Sequence, residues 1–341
     1  MKTIVTGGVG FIGSHLVKRL FEQNKEVIVA SDLSKLDSEN LSSLGIKPFD
    51  VELRKADLSD YHQALRAIEG ADIVFHLAAR VGGLKYLHST EMAELAALQA
   101  NLMIDANVFR ACLEKGVRKI VYASSCAVYP MDRQFSYGTV FTEDNLELSQ
   151  NQFNILSTGY SEINPDGGYG WSKLMGEIEL GWMKNIDIGI ARIFNIYGEN
   201  EPLGARGHVI SDLINKAVLY PGEEFVVRGD GKQSRDFLYV SDCADALLKL
   251  GEKASNPPMT VNIGSGKAVS IGTVAEKIAE LSGKDIKITY DSVKSVGPLS
   301  RTGDITRTKA LLNWHPKVSL DKGLRCTYTW VKKRLKGEKL S

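Results

Sequence analysis

Short apolar runs alternate with segments of helical periodicity through the first two-thirds of the chain. The apolar runs predict strands over residues 3–6, 26–30, 48–53, 71–77, 119–123 and 187–194. Spacings of three and four between apolar residues predict helices over residues 13–23, 61–69, 92–115 and 169–184. Strands that alternate with helices are typical of βαβ units and a parallel sheet. Because the strands are almost uninterruptedly apolar, we expect an α/β fold whose doubly wound parallel sheet is covered on both faces.

The last third of the chain is more irregular. Loops that carry Gly and Pro lie at residues 200–207, 255–258 and 295–298. Between them the pattern predicts helices over 209–219 and 271–281 and strands over 224–227 and 260–263. We therefore expect a doubly wound domain over residues 1–195, to which 235–252 return, and a smaller, loop-rich C-terminal domain over 196–341 that binds the substrate.

Composition narrows the classes of partner. The chain has 341 residues, and 42 Lys and Arg against 41 Asp and Glu give a net charge of +1. A net charge this close to zero does not favour binding of nucleic acid. No apolar run reaches the roughly 20 residues of a membrane span, and the first residues lead into a glycine cluster rather than a signal peptide. We expect a cytoplasmic protein with no membrane partner.

The four cysteines favour neither a metal site nor a disulfide framework. Cys112, Cys126, Cys243 and Cys326 lie far apart along the chain and form no CxxC pair. We therefore expect reduced thiols and no bound metal.

A glycine-rich turn joins the first predicted strand to the first predicted helix. Its segment TGGVGFIG contains Gly7, Gly10, Phe11, Ile12 and Gly13. Glycines at this spacing give a tight turn, let the backbone approach a pyrophosphate, and let the helix pack closely on the strand. The pyrophosphate then lies at the helix N-terminus. The pattern predicts a dinucleotide site in a Rossmann fold.

Residues that follow the next strands complete this predicted site. Asp32 follows the second strand, where a carboxylate binds the ribose 2′-OH of NAD and repels the 2′-phosphate of NADP. Because no arginine lies between residues 25 and 43, we predict NAD as the cofactor. Further cofactor contacts are expected after the third and fourth strands, at Asp57, Leu58, Leu77, Ala78 and Ala79.

A tyrosine and a lysine stand at i and i+4 on one predicted helix. Tyr169 and Lys173, in the segment YGWSK, lie one above the other on the same helix face. A nearby ammonium and the positive nicotinamide favour the phenolate, so we expect a lowered pKa for Tyr169 and a base that takes a proton from a substrate hydroxyl. Lys173 is also expected to hold the nicotinamide ribose. Ser125, at the carboxyl end of the fifth strand, can hydrogen-bond the same substrate oxygen.

Several segments taken together resemble one enzyme family. The chain resembles the extended short-chain dehydrogenase/reductases that act on nucleotide sugars in TGGVGFIG, HLAA, YASS, YGWSK, ARIFNIYG, GDGKQSRDFLYV and RTGDITRTKALLNW. The resemblance implies a tightly held NAD that removes hydride from a sugar carbon, usually C4, and later returns it. It also implies that Asn195, Arg235 and Arg301 bind the phosphates or nucleoside of a GDP- or UDP-hexose.

Within this family, GDP-mannose 3,5-epimerase and GDP-fucose synthase are the most similar subgroups. The likeness includes the segment VGG, in which Gly82 is expected to contact substrate. Both subgroups use an additional acid/base pair for proton exchange at C3 and C5, and one member of that pair falls at His208. The other member is a cysteine, which here stands one residue earlier, at Cys126. A shift of one residue reverses side-chain direction in extended backbone, so Cys126 is expected either in the site or in the core.

Three reactions are compatible with these residues. The first is epimerisation by transient oxidation at C4, with Tyr169 as base, Lys173 as its cation and Ser125 beside the hydroxyl. The second is 3,5-epimerisation, with Cys126 and His208 as the acid/base pair. The third is a C4 dehydrogenase that releases a keto-sugar. The intact set of Ser, Tyr and Lys argues against a non-catalytic nucleotide sensor.

The two long predicted helices, 92–115 and 169–184, are apolar on more than one face. Burial on the sheet accounts for one face, and a four-helix bundle between two copies of the chain, as the resemblance implies, accounts for the other. We therefore expect a homodimer.

Overall fold

The computed structural model describes residues 1–32, 39–47, 49–83, 89–146, 163–293 and 297–337. The strands are β1 (Lys2–Thr6), β2 (Glu26–Ser31), β3 (Glu52–Lys55), β4 (Ile73–His76), β5 (Lys119–Ser125), β6 (Val140–Phe141), β7 (Asp187–Ile193), β8 (Asn195–Tyr197), β9 (Val226–Arg228), β10 (Ser234–Tyr239), β11 (Met259–Ile263), β12 (Ala268–Ser270), β13 (Thr289–Asp291) and β14 (Ser300–Gly303). The α-helices are α1 (Phe11–Glu22), α2 (Glu39–Ser43), α3 (Tyr61–Ala67), α4 (Glu91–Glu114), α5 (Met131–Gln134), α6 (Gly167–Trp182), α7 (Val209–Leu219), α8 (Val240–Lys253), α9 (Ile271–Ser282), α10 (Thr306–Leu312) and α11 (Leu320–Leu335).

Seven parallel strands form the central sheet, in the order β3-β2-β1-β4-β5-β7-β11. The strand order reverses at β1, where Val5 lies between Val29 of β2 and Phe75 of β4. This is the Rossmann arrangement, and the predicted α/β fold is confirmed. Ligands of such sheets bind at the carboxyl ends of the strands beside the reversal.

Neighbouring residues of each central strand enter different hydrophobic cores. In β1, Ile4 packs in the core formed with α3, α4 and α6, whereas Val5 packs in the core formed with α1 and α8. Both side chains are fully buried. Two covered faces therefore explain why the central strands are apolar at successive positions.

Smaller sheets make up the second part of the fold. One has the order β12-β10-β14-β6, with β8 also paired to β10, and another consists of β13 and β9. Helices α7, α9 and α11 share a core with these strands that includes Ile210, Val274 and Tyr328. β11 joins the central sheet beside β7, although it lies in the range expected for the second domain. The proposed division of the chain into two domains stays a prediction.

Some elements differ from the sequence patterns. The strand expected over 48–53 is observed from Glu52, because the Lys47 N–H donates to Asp50 Oδ2 at 2.7 Å and closes a turn before it; residue 48 lies outside the described ranges. Helix α11 is not predicted, because its many charged residues make the segment hydrophilic overall, although Leu324, Tyr328 and Val331 keep helical spacing. Strands β6, β12 and β14 have two to four residues, too few to show a period.

The described part of the chain has no helix that is long and apolar enough to cross a membrane. These same residues contain no group of three or more His, Cys, Asp or Glu side chains placed to hold a metal ion.

Candidate active site

A cleft of about 790 Å³ opens at the carboxyl ends of the central strands. All the predicted site residues line it, whether they were assigned to cofactor, substrate or chemistry. They are Gly7, Gly10, Phe11, Ile12, Gly13, Asp32, Asp57, Leu58, Leu77, Ala78, Ala79, Gly82, Ser125, Cys126, Tyr169, Lys173, Asn195, His208, Arg235 and Arg301. The volume lies within the range of small-molecule sites.

The glycine loop packs directly on the end of β4. Gly7 has a φ of +68°, a conformation that favours glycine, and a Cβ there would lie 2.9 Å from the Ala78 nitrogen. A Cβ at Gly13 would clash with the carbonyl oxygen of Gly7. Gly10 precedes α1 and provides no side-chain cap, so the first N–H groups of the helix are open to a ligand in the cleft. This backbone cradle fits the pyrophosphate of a dinucleotide.

Asp32 follows β2 and lines the cleft, where a carboxylate fits a ribose hydroxyl. Two asparagines, which no sequence motif marks, brace the neighbouring glycine loop. Asn40 of α2 donates to the Val9 carbonyl at 3.0 Å. Asn200 donates to the Asn40 carbonyl at 3.0 Å and to Ser14 Oγ at 3.2 Å. The loop is therefore held from α2 and from the segment after β8, as well as from its own strand and helix.

The hydroxyl groups of the two serines at the end of β5 have different partners. Ser124 is buried, and its Oγ donates to Glu177 Oε1 at 2.5 Å. Ser125 lines the cleft, and its Oγ accepts the Ala127 N–H at 3.1 Å in the 3₁₀ turn that follows the strand. Adjacent positions of a strand face opposite sides, which is why only one of the pair is free to meet a substrate oxygen.

Tyr169 and Lys173 lie one turn apart near the start of α6, and both line the cleft. Burial raises the pKa of Tyr169 above its usual value, and a hydrogen bond with Ser125 acts in the opposite direction. The pKa of Tyr169 is therefore raised, whereas the sequence predicts that it is lowered. A phenolate at Tyr169 therefore needs the additional positive charge of a bound nicotinamide.

The ammonium of Lys173 faces buried carboxylates that no sequence motif marks. Its Nζ lies 4.5 Å from the centre of the Tyr122 ring, and its charge interacts with Asp105 and Glu177. Arg192 is paired with Glu177, with Nη2 2.8 Å from Oε2. Burial lowers the pKa of Lys173, and the charges of these two carboxylates act in the opposite direction.

Cys126 lies between the core and the cleft. It packs with Val128 and Leu174 in a hydrophobic core, and it also lines the cleft. Burial raises the pKa of the thiol, while the Arg301 guanidinium and a hydrogen bond with Ser125 act to lower it. The one-residue offset has therefore not removed Cys126 from the site, although most of its surface is buried.

His208 lines the cleft at the N-terminus of α7 and is held by a buried carboxylate. Glu201 Oε1 accepts the backbone N–H of His208 at 3.0 Å and lies 2.9 Å from its Nδ1. Desolvation lowers the pKa of His208, but the hydrogen bond and charge of Glu201 outweigh it, and the net direction is upward. Since Nδ1 is tied to Glu201, Nε2 is the nitrogen that can meet a substrate. Glu201 is a further site residue that its sequence context does not reveal.

Arg235 and Arg301 lie side by side, paired in register on β10 and β14. Burial and the neighbouring Arg301 charge lower the pKa of Arg235 to about 10. Arg301 is fixed by Asp166 and Gln134, each at 2.5 Å. Asn195 has a buried Oδ1 with no hydrogen-bond partner among the described residues. Two adjacent guanidinium groups repel each other, and an anion such as a diphosphate would relieve that repulsion.

Comparison with known proteins agrees with this geometry. The model of the NAD dependent epimerase/dehydratase family matches residues 3–264. The chain belongs to this family. Membership confirms the resemblance found in the sequence, the prediction of an NAD-dependent enzyme, and NAD as its cofactor.

Relatives in this family act on nucleotide sugars. GDP-mannose 3,5-epimerase of Arabidopsis thaliana is 31% identical over 344 residues, which cover 99% of this chain and 84% of the relative. UDP-N-acetyl-alpha-D-glucosaminuronate decarboxylase of Bacillus cytotoxicus is 30% identical, over 97% of this chain and 98% of the relative. The solved structure of UDP-glucose 4-epimerase of Thermotoga maritima with UDP-glucose has a TM-score of 0.83 at 25% identity, and the match covers 98% of this chain and 100% of that chain.

These relatives share a fold and a substrate class but carry out different reactions. Their names include a 3,5-epimerase, a decarboxylase and a 4-epimerase, and both GDP- and UDP-linked substrates. Family membership therefore fixes an enzyme that acts on nucleotide sugars with NAD, and the choice of reaction rests on the side chains of the cleft.

Proposed function

We propose that this protein is a nucleotide-sugar epimerase that works by transient oxidation of the hexose at C4. The observation that carries this proposal is the meeting of Ser125, Tyr169 and Lys173 with the glycine loop in one cleft. When hydride leaves a carbon that bears a hydroxyl, the hydroxyl proton must leave too. A base beside the cofactor site meets that need.

Bound NAD would accept the hydride from C4 and return it after the sugar has turned its other face. Tyr169 takes the C4 hydroxyl proton and later returns it to the same oxygen. Ser125 donates a hydrogen bond to that oxygen and fixes its position near the tyrosine. Lys173 supplies the fixed positive charge that, together with the nicotinamide, favours the phenolate. Asp32 supports NAD rather than NADP, because its carboxylate repels a 2′-phosphate.

The nucleotide sugar is held by the part of the cleft that the second half of the chain builds. Arg235 and Arg301 bind the diphosphate, and the Asn195 amide provides a further polar contact. The nucleoside lies toward the residues of 196–341 that line the same cleft, among them Val226, Arg228, Gln233 and Ile271. In this assignment residues 1–195, to which 235–252 return, hold the cofactor and contribute Asn195 and Arg235 to the substrate site, and the rest of that site comes from 196–341.

A second candidate is 3,5-epimerisation, which is favoured by the presence of Cys126 and His208 in the same cleft. A ketone at C4 makes the hydrogens at C3 and C5 acidic, so an acid/base pair can remove them and return them on the other face. The likeness to GDP-mannose 3,5-epimerase supports this candidate. Both candidates begin with oxidation at C4, and they differ in the fate of the keto-sugar.

The test is to incubate the purified protein with GDP- and UDP-hexoses in heavy water and to read the products by proton NMR. A sugar inverted at C4 without deuterium supports direct return of hydride. Deuterium at C3 or C5 supports the second candidate, and an accumulated keto-sugar supports a net C4 dehydrogenase. A protein that neither contains nor binds NAD(H) overturns all three.

We also propose that two copies of the chain associate through α4 and α6. These helices expose large apolar side chains in the single chain, namely Met92, Leu95, Met103, Leu113, Trp171 and Trp182. Met92 and Met103 are eleven residues apart, as are Trp171 and Trp182, so each pair lies on one helix face about three turns apart. A two-fold dimer would bury both stripes in a four-helix bundle.

A further inference from the structure

A group of four charged side chains lies under the start of α6. It consists of two carboxylates, Asp105 and Glu177, and two cations, Lys173 and Arg192, each exposed by 3% or less. Charges buried this deeply are stable only when they compensate one another. Because the group is neutral as a whole, each charge must have its counterpart within it.

Arg192 is the counterpart of Glu177. Its Nη2 lies 2.8 Å from Oε2 and its Nε lies 3.1 Å from Oε1, which is a two-point contact between guanidinium and carboxylate. Lys173 and Asp105 remain as the second pair.

Asp105 is hydrogen-bonded by Tyr122 and His76. Tyr122 Oη donates to Oδ2 at 2.5 Å, and His76 Nε2 lies 3.0 Å from Oδ1. Thr6 Oγ1 already accepts two backbone N–H groups at the end of β4, so its own proton is directed at His76 Nδ1, 2.7 Å away. His76 therefore carries its proton on Nε2 and donates it to Asp105. Among the charges that act on Asp105, that of Lys173 lowers its pKa most, ahead of that of His76.

A glycine lets this carboxylate approach the helix that carries the lysine. Gly176 is one turn beyond Lys173 on α6, and a Cβ there would clash with Tyr122 Oη and lie 3.0 Å from Asp105 Oδ2. The missing side chain lets α4 and α6 approach each other at this level. The ionisable groups around Lys173 are Asp105 of α4, Tyr122 of β5, and Tyr169 and Glu177 of α6, with His76 and Arg192 behind them.

We propose that Asp105 is the counter-ion that keeps Lys173 protonated, and that it acts as a positioning residue for the reaction through that lysine. The inference rests on the proposed role of Lys173 beside Tyr169. Without the carboxylate, the buried group would hold one uncompensated positive charge. Release of the Lys173 proton would restore neutrality, and a neutral amine cannot stabilise the phenolate of Tyr169.

The pH dependence of Asp105→Asn tests this proposal, because the amide keeps the shape and removes the charge. The NAD-loaded enzyme is mixed with GDP-mannose or with UDP-glucose, and formation of reduced nicotinamide is followed from about pH 6 to about pH 10. We expect the variant to lose at least about tenfold more rate at about pH 9 than at about pH 7, relative to the unchanged protein. A loss that is equal at every pH would mark a purely structural role and overturn the proposal.

Glu179→Gln is the matched control. Glu179 is a half-buried carboxylate on the same helix whose charge interacts with Asp105 but is not among the charges that act on Lys173. We expect its variant to keep the pH profile of the unchanged protein. An equal change of profile in both variants would show a general effect of charge and contradict a specific pair.

Thermal unfolding provides a second readout that needs no substrate. In Asp105→Asn the pKa of Lys173 in the folded protein falls further below its unfolded value, so unfolding takes up a proton and stability rises with pH. We therefore expect the loss of melting temperature to be largest near neutral pH and to shrink as pH rises. The melting experiment tests the Lys173–Asp105 pair even if neither nucleotide sugar reduces the cofactor. Such a failure of both sugars would count against the proposed function and not against the pair.

A double variant covers the case in which Asp105→Asn does not fold. Asp105→Asn with Lys173→Met removes both charges of the pair and leaves the buried group neutral. If Asp105→Asn does not fold, we expect the double variant to fold; if Asp105→Asn folds, we expect the double variant to melt at a higher temperature at neutral pH. Losses in the two single variants that simply add in the double variant would show that the charges do not interact, and would overturn the proposal.

Discussion

At the scale of single residues, the reaction depends on how Tyr169 becomes a base in a setting that opposes its charge. Burial raises its pKa, and Ser125 offers the phenolate one hydrogen bond. The remaining stabilisation must come from positive charge, which Lys173 and a bound nicotinamide supply. In the proposed mechanism the tyrosine is therefore protonated in the protein alone and becomes a base when cofactor and substrate are bound.

Tyr169→Phe tests this role. We expect oxidation of the sugar to slow by about 10²- to 10⁴-fold, the usual contribution of a general base. Bound NAD should persist, because the glycine loop and Asp32 hold the other end of the cofactor. Cofactor content after denaturation and turnover on the active sugar measure the two effects. Tyr137→Phe, at an exposed tyrosine outside the cleft, is the control, and a Tyr169→Phe enzyme as fast as that control would contradict the assignment.

Glu201→Gln tests the setting of His208. The carboxylate raises the pKa of His208, so its replacement by an amide should lower that pKa. Less of the imidazolium is then present near neutral pH, and exchange of C5 or C3 hydrogens with solvent should slow while oxidation at C4 continues. An NMR titration of the imidazole measures the first effect, and deuterium incorporation measures the second.

Glu199→Gln serves as the control for that variant, since the Glu199 carboxylate binds Tyr239 Oη rather than a histidine side chain. We expect the His208 titration to be unchanged in this control. If Glu201→Gln also leaves the His208 titration unchanged, the Glu201 carboxylate does not raise the pKa of the histidine, and the assignment is contradicted.

Sequence patterns predict site residues that belong to a motif and miss those that act from a distant segment. Tyr169 and Lys173 share one helix face, so their spacing is enough to pair them. Asp105 and Glu201 come near Lys173 and His208 only because the fold packs distant segments together. Neither residue belongs to a recognisable sequence motif. The pair of serines shows an intermediate case, because the motif is visible and only the fold selects Ser125.

At the scale of elements, the start of α1 and the loop before it leave no room for larger side chains at two glycines. Gly7 takes a positive φ against Ala78, and Gly13 leaves no room between the helix and the carbonyl of Gly7. These contacts set how close the helix N-terminus comes to the sheet edge. The same closeness is what allows backbone N–H groups to meet a pyrophosphate.

Gly13→Ala tests this closeness, because the added Cβ meets backbone that cannot turn aside. We expect a loss of about 1 to 3 kcal/mol in the free energy of unfolding and a sharp fall in bound NAD. Gly181→Ala is the control, since nothing lies within 4 Å of a Cβ at that helical position. It should leave stability equal or slightly higher. Equal NAD content in the two variants would contradict the role given to the loop.

Long and strongly patterned elements could be predicted, and short or mixed ones could not. Strands such as β5 and β7 are apolar at successive positions, and the helices between them keep a regular spacing. By contrast, β14 carries Arg301 in a strand of four residues, and α11 is so rich in charged residues that its buried face is easily missed. The pairing of β10 with β14 joins segments far apart in the chain, and no local pattern contains that information.

At the scale of the whole molecule, the cleft lies where the central sheet meets the smaller sheets. The ends of β1 and β5 and the start of α6 supply the glycine loop and the proposed catalytic residues, while β10, β14 and the start of α7 supply the arginines and His208. β11 returns from the second part to the edge of the central sheet and ties the two together. Both halves are therefore needed to form one complete site.

The proposed dimer makes a prediction at this scale. Met103→Glu combined with Trp182→Glu places charges on the exposed apolar stripes of α4 and α6, where the side chains are 52% and 58% exposed in the single chain. We expect the variant to elute as a monomer with its fold intact, as judged by light scattering and circular dichroism. Phe49→Glu, at a residue 81% exposed elsewhere, should not change the assembly. A dimer that persists in the double variant would exclude this face.

The most direct test of the central claim uses a nucleotide sugar deuterated at C4. The hexose that proves active among the GDP- and UDP-hexoses tested by proton NMR is deuterated at C4 and supplied to the NAD-loaded enzyme in ordinary water. If the cofactor takes the hydrogen from C4 and returns it, reduced nicotinamide should form transiently and the product should keep its deuterium at C4. Loss of that deuterium to solvent, or product formed with no reduced nicotinamide, would contradict transient oxidation at C4.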